Sequence, residues 1–393
     1  MSVTYGMLST YPPTQCGLAT FSHALRSALE SPSDHVGVVR VLDADEAAVP
    51  EPVTGSGCLT AARSALCADA VWVRESTDGT QRAAAALNSY DVAILQHEYG
   101  IFPGRDGEEV LDLVRALRVP TITVLHTVLV TPSDHQRTIL EEIAARSSAI
   151  VTMTRTGRDR LLANYAVDSA RVSVIPHGAA PRPPRLQPRS SAPGESASVL
   201  TWGLLGPGKG IEWGIDAMAQ LSDLDPRPQY RVVGETHPKV RTQHGEAYRN
   251  QLIERAAAGS TQSVHFDDRY LDTAELHRLV EDADVVLLPY DSREQVTSGV
   301  LIEAVVAGKP VVSTAFPHAV ELLSGGAGLL VDRQDPDAIA RALRRVLTEP
   351  GLKSRMAAEA RRIAPDLLWS AVADRYRSLA AGLLTESNVM ASV

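Results

Sequence analysis

Short apolar runs separated by polar loops, with helically spaced apolar positions between them, recur along the whole chain. In the first half they occupy residues 3–8, 36–42, 71–73, 92–95 and 120–125, and residues 18–29 carry apolar positions at helical spacing. The alternation then pauses: residues 179–196 are dense in Pro, Ser and Arg and have no period, which reads as a linker. It restarts with runs at 199–202, 230–233, 264–266, 285–288, 310–313 and 328–331, and the chain closes on helical stretches at 336–347 and 367–383. Strands alternating with helices predict an α/β protein of two parallel, doubly wound domains, residues 1–178 and 197–365, with residues 366–393 as a closing helix and tail.

Residues 283–314 form the sharpest unit: a buried run, a polar loop, a helix opening at Thr297-Ser298-Gly299, a stop at Gly308 and a second buried run. The first N–H groups of a helix have no partner inside it. Small Ser298 and Gly299 let a ligand come close, so Thr297, Ser298, Gly299 and Val300 are expected to hold a phosphate. Glu303 lies one turn further on the same face, where a carboxylate can accept two ribose hydroxyls; phosphate and ribose together indicate a nucleotide diphosphate. A glycine-rich loop follows residues 199–202, in which Gly203, Gly206 and Gly208 let the backbone close on a phosphate and Lys209 brings an ammonium. No Ser or Thr follows Lys209, so the string is not a Walker A loop. Gly17 ends the loop after the first run and repeats this geometry in a weaker form. His97 and His126 end apolar runs, at the carboxyl ends of strands where open α/β sheets bind ligands.

Composition removes several classes. A net charge of −9 with no compensating basic domain argues against a nucleic-acid partner. Cys16, Cys58 and Cys67 are odd in number and unevenly spaced, which suggests a reducing, cytoplasmic setting without disulfides. No export signal and no membrane-length apolar run is visible. The short clusters Arg182-Arg185-Arg189 and Arg341-Arg344-Arg345 read as solvated faces that could at most touch an anionic lipid. There is no Cys or His spacing for zinc and no G-x-S-x-G elbow.

Residues 283–314 resemble the C-terminal signature of retaining glycosyltransferases of family 4, which have the GT-B fold of two Rossmann-like domains facing across a cleft. That signature is a Glu, seven residues and a second Glu; the first faces the transferred sugar and the second the ribose. Here Glu303 holds the second position, Gln295 the first, and Glu294 stands one residue early. Residues 203–210 resemble the family's phosphate loop, where an Arg shortly after the first Gly works with a later Lys. Lys209 matches, and Leu204 stands in the place of the Arg. The run Gln96-His97-Glu98-Tyr99-Gly100 resembles a subgroup whose histidine, at the position of His97, lies beside the donor sugar. Residues 172–178 resemble the strand that closes the first domain, and a C-terminal helix returning to that domain would explain Trp369 and Tyr376 so near the end.

The resemblance implies a retaining, metal-independent transferase that moves a hexose from GDP-mannose or a UDP-hexose to a hydroxyl on a saccharide, lipid or small molecule. The nucleotide diphosphate sugar is a co-substrate, and no cofactor is implied. It makes His97, Lys209, Gln295 and Glu294 the catalytic candidates, adds Gly17, Gly203, Gly208 and Glu303 to the donor site, and puts Thr14, Gln15, Tyr99 and His126 on the acceptor side. Asp43-Ala44-Asp45 and Asp282-Ala283-Asp284 match the acidic motif by which a different glycosyltransferase fold holds a metal, but such pairs are short. A GT-B nucleotide-sugar epimerase is one alternative. A degenerate GT-B protein that binds nucleotide sugar without turnover is another, and Leu204 and Gln295 speak for it.

Overall fold

The computed structural model describes residues 2–43, 68–74, 76, 78–181, 195–259 and 263–391. Cys58, Cys67, Asp45 and residues 182–194 of the expected linker lie outside them. The chain divides into two compact units, one of Met1–Gly178 with Trp369–Val393 and one of Ala179–Leu368. The expected boundary at residue 365 therefore falls three residues later, because Leu367 belongs to the second unit's core and Trp369 to the first.

Among the described residues the first unit holds seven parallel strands: β1 Thr4–Ser9, β2 His35–Leu42, β3 Ala70–Val73, β4 Val92–His97, β5 Thr121–Leu125, β6 Ala149–Thr152 and β7 Val172–Val174. Their order is β3-β2-β1-β4-β5-β6-β7. The second holds six: β8 Ser198–Trp202, β9 Gln229–Val233, β10 Val264–Asp267, β11 Val285–Leu288, β12 Val311–Thr314 and β13 Gly328–Val331, in the order β10-β9-β8-β11-β12-β13. All their pairings are parallel. Strands β6 and β7 are not among the apolar runs: that of β6 is short and ends in polar Thr152, and β7 has polar Ser173 at its centre.

The strands read as continuous apolar runs because both faces are covered. In β1, Tyr5 and Met7 pack into one core and Leu8 into the other; in β4, Val92 and Ile94 face one and Ala93 and Leu95 the other. Strand β11 repeats this, with Val285 and Leu287 opposite Val286 and Leu288. The C-terminal helix Trp369–Ala391 belongs to the first unit. Its Val372, Ala373, Tyr376 and Ala380 recur at helical spacing and are buried beside Phe21, Leu25 and Leu29 of helix Gly17–Leu29.

In each sheet the strand order reverses once, between β1 and β4 and between β8 and β11. Loops leaving the carboxyl ends of such neighbours diverge and leave a crevice, which is where doubly wound sheets take ligands. The loop before Gly17 follows β1, His97 ends β4, residues 203–210 follow β8 and residues 289–298 follow β11.

Candidate functional site

In the second unit the glycine loop is built on the backbone after β11. Gly208 has a φ of +88°, and a Cβ there would meet no atom within 4 Å, so its left-handed backbone borders open space. Gly210 differs: with φ at +63°, a Cβ there would sit 1.9 Å from the Pro289 carbonyl oxygen, and packing alone forbids a side chain. The Asp291 N–H donates to the Gly208 carbonyl at 2.9 Å, which ties the two loops together. Between these glycines, Lys209 places its Nζ 4.5 Å from the centre of the Tyr290 ring. Leu204 is half-buried and brings no charge.

The helix Gly299–Val306 starts beside this loop, and a Cβ on Gly203 would lie 3.5 Å from Val300 Cγ2. Ser298 is the N-cap, its Oγ accepting from the Leu301 N–H at 3.2 Å. Its own N–H donates to Nδ1 of buried His318 at 2.9 Å. The Ser298 N–H is thus spent within the protein, and among the four expected anion donors the N–H groups of Thr297, Gly299 and Val300 are left without a partner. Because Nδ1 accepts, the proton of a neutral His318 sits on Nε2. The sequence pattern passes over His318, yet a signal was there: Pro317 opens the short helix Pro317–Leu323 just beyond β12, at the same edge of the sheet.

Glu303 Oε2 accepts from the indole N–H of Trp202, the last residue of β8, at 3.3 Å. The contacts Trp202–Glu303, Gly203–Val300 and Lys209–Tyr290 thus gather the glycine loop, the helix start and the Glu303 carboxylate at one end of one sheet. Gln295 is half-buried, and its Nε2 donates to the Thr297 carbonyl at 3.1 Å; Glu294 is exposed. The loop therefore turns Gln295 inward and Glu294 outward. A carboxylate could not donate to Thr297, which is a reason for Gln at this position. Thr297 Oγ1 is buried and makes no hydrogen bond. The acidic pair at Asp282 and Asp284 is no part of this site: Asp284 precedes β11, at the opposite end of the strand, where it accepts from the Ser198 N–H at 2.9 Å and pairs with Lys353 at 3.1 Å.

In the first unit, Cys16 caps the helix Gly17–Leu29, its Sγ accepting from the Ala19 N–H at 3.3 Å. A Cβ on exposed Gly17 would meet nothing within 4 Å, so neither packing nor backbone requires this glycine, and space is left there. Gln15 is exposed in the same loop, while Thr14 Oγ1 accepts from Arg40 Nη2 at 3.0 Å. His97 is 1% exposed, with its ring edge-on to Tyr99 at 5.0 Å and Nδ1 unpartnered, and burial lowers its pKa to about 4. His126 lies next to it, its N–H donating to the His97 carbonyl at 3.1 Å and its Nε2 2.8 Å from Gln96 Oε1. Burial, then the nearby His177 and His97, bring the His126 pKa to about 3. Tyr99 is packed into the core, and its hydroxyl donates to the Gln136 carbonyl at 3.3 Å. The ring fills the core, and the hydroxyl is used by the fold.

Residues 196–349 match the family described as Glycosyl transferases group 1. The D-inositol 3-phosphate glycosyltransferase of Corynebacterium efficiens is 29% identical over 285 residues, covering 67% of this chain and 65% of that protein. Its namesake in Rhodococcus jostii is 31% identical over 277 residues, covering 67% of this chain and 57% of that protein, so both matches span less than two thirds of the relative. Among solved structures, Anabaena HepE in complex with UDP and glucose superposes with a TM-score of 0.73 at 16% identity, over 97% of this chain and 100% of that one. Sucrose-phosphate synthase from Thermosynechococcus elongatus gives 0.73 at 18% identity, over 98% and 100%. The chain has the GT-B fold, built from two doubly wound Rossmann-like units. The family match falls within the second unit.

Proposed function

We propose that the protein is a retaining glycosyltransferase that moves a hexose from a nucleotide diphosphate sugar to a hydroxyl acceptor without a metal or other cofactor. The observation that carries this reading is the gathering of Gly208, Lys209, the N–H groups of Gly299 and Val300, and Glu303 at one end of the second sheet. As the glycosidic bond breaks, the departing diphosphate gains negative charge, which the Lys209 ammonium and those two N–H groups meet. Glu303, steadied by the Trp202 indole, accepts the ribose hydroxyls. The departing phosphate takes the acceptor's proton, so no protein nucleophile is required.

HepE is solved with UDP and glucose, which makes a UDP-hexose the first donor to try and GDP-mannose the second. The relatives named D-inositol 3-phosphate glycosyltransferase make a phosphorylated polyol the first acceptor. The test offers these donors and acceptors to the purified protein in EDTA and follows nucleotide diphosphate release and the anomeric configuration of the product. Acceptor-dependent release with an α-product from an α-donor is expected. An inverted product or a requirement for a divalent ion would refute the mechanism, and interconversion of donors without release would point to an epimerase. A second reading, donor binding without turnover, is favoured by Leu204 and Gln295; it predicts a donor-induced rise in melting temperature and no release with any acceptor.

A further inference from the structure

With Leu204 in the place of the family's Arg, Lys209 meets the diphosphate charge without that partner. A lysine has a flexible four-carbon stem, so an ammonium that must be in place when charge develops needs something to hold it. Among the described residues Lys209 forms no ion pair. Its Nζ lies over the Tyr290 ring, 4.5 Å from the centre.

That ring is fixed from several sides. Tyr290 is 1% exposed and stacks on Phe316 with centroids 5.2 Å apart and planes 29° from parallel. Its carbonyl accepts from Thr314 Oγ1 at 2.6 Å. Its neighbours hold the glycine loop directly, Asp291 through Gly208 and Pro289 against Gly210. The short stretch that carries the ring thus also fixes the loop that carries Lys209. The phenol hydroxyl is buried and has no hydrogen-bond partner, so the part of Tyr290 that acts here is the face of its ring.

We propose that Tyr290 is a positioning residue for the transfer reaction, its immobile ring face holding the Lys209 ammonium for the donor diphosphate through a cation–π contact. The proposal rests on the glycosyltransferase reading above and names how its main cation is kept in place. A carboxylate at this position would hold the ammonium too, but would cancel the charge that the diphosphate needs. An aromatic face attracts a cation through its quadrupole and adds no counter-charge.

The experiment measures kcat and donor KM for the full-length protein with Tyr290→Leu, Tyr290→Phe, Lys209→Met and the Tyr290→Leu/Lys209→Met pair. It adds phenylalanines carrying one, two and three ring fluorines at position 290, which weaken the π face while keeping its shape. Tyr290→Leu is expected to lower kcat about 3- to 30-fold, the span of a half-exposed to desolvated cation–π contact, and Tyr290→Phe to recover most of that loss. Turnover should fall stepwise with fluorination at constant melting temperature, and Tyr290→Leu should cost nothing further once Lys209 is Met. Equal losses from Tyr290→Leu with and without Lys209, or indifference to fluorination, would overturn the proposal in favour of a purely structural ring. If Tyr290→Leu does not fold, the fluorinated series decides alone. If the wild type releases no nucleotide diphosphate with any acceptor, it is the transferase reading that fails; the series is then read through UDP affinity, and an affinity unchanged by fluorination ends the positioning role as well.

Discussion

At the scale of single residues, Lys209 and Glu303 stand in one site and should fail differently. In the proposed mechanism Lys209→Ala removes a charge that matters most as the diphosphate departs, so kcat should drop by an amount equivalent to about 2–4 kcal/mol of barrier with a small change in donor KM. Glu303→Gln keeps an acceptor for the Trp202 indole but weakens the proposed ribose contact in ground and transition states alike, so its effect should appear mainly in donor KM. Identical kinetic profiles for the two variants would remove these assignments. The pair Glu294 and Gln295 divides in a similar way. Glu294→Ala touches an exposed side chain and should stay within about 0.5 kcal/mol of wild-type stability with activity kept. Gln295→Ala releases the loop from the Thr297 carbonyl, a hydrogen bond worth about 1 kcal/mol, and should cost clearly more activity. Gln295→Glu sets a carboxylate against that carbonyl and should fall below wild type. Steady-state rates and melting temperatures of the three variants check the ranking.

At the scale of elements, the helix Gly299–Val306 depends on a histidine from another helix. His318→Ala leaves the Ser298 N–H buried without a partner, which costs about 1–3 kcal/mol and loosens the helix start at the proposed donor site. The expected result is a lower melting temperature together with weaker nucleotide diphosphate binding, and His318→Asn, whose oxygen can reach the place of Nδ1, should regain most of both. Binding unaffected by His318→Ala would mean that the helix start does not use this brace. What the sequence disclosed follows from the same physics. Strands covered on both faces are apolar throughout, so β1, β4, β11 and β12 stand out as runs, and Ser298-Gly299 after a polar loop marks a helix start. The partners that finish the site were not legible. His318 reaches Ser298 from 20 residues away, and Tyr290 reaches Lys209 from the loop after a different strand. Spacing encodes neighbours along one element, whereas these contacts arise from loops that the sheet order brings together. The burial of Tyr99 was not legible for the same reason: its ring packs with residues distant in sequence such as Val128 and Leu140.

At the scale of the whole molecule, the two units carry unequal loads of buried histidine, and this sets how acid should act. His97, His126 and His177 all lie in the first unit, and burial is the first cause that depresses each of them, to about 4, about 3 and about 4. An unfolded chain protonates such residues near 6.5, so between pH 6.5 and 4 it binds more protons than the folded one, and stability falls as pH falls. For His97 alone, linkage between a folded pKa of about 4 and an unfolded one of about 6.5 amounts to roughly 2 kcal/mol by pH 5. His135 acts with the opposite sign: Asp106 and Glu108 flank its two ring nitrogens at 3.0 Å and raise its pKa, so its contribution is present below 6.5 and lost as pH rises through the folded value. That trio sits at the surface, where solvent screens it, so it should offset only a small part of the loss. In the second unit His237 is depressed by burial, with Lys239 and Lys209 adding to the effect. Urea unfolding monitored through Trp72 in the first unit, with the other three tryptophans replaced by phenylalanine, should therefore give a midpoint that drops steadily between pH 7 and pH 5. His97→Gln should flatten that slope, because one of the groups that must be kept neutral is gone. A midpoint constant across this range, or a slope that His97→Gln leaves unchanged, would show that the histidines at the ends of β4 and β5 are not held neutral by the fold.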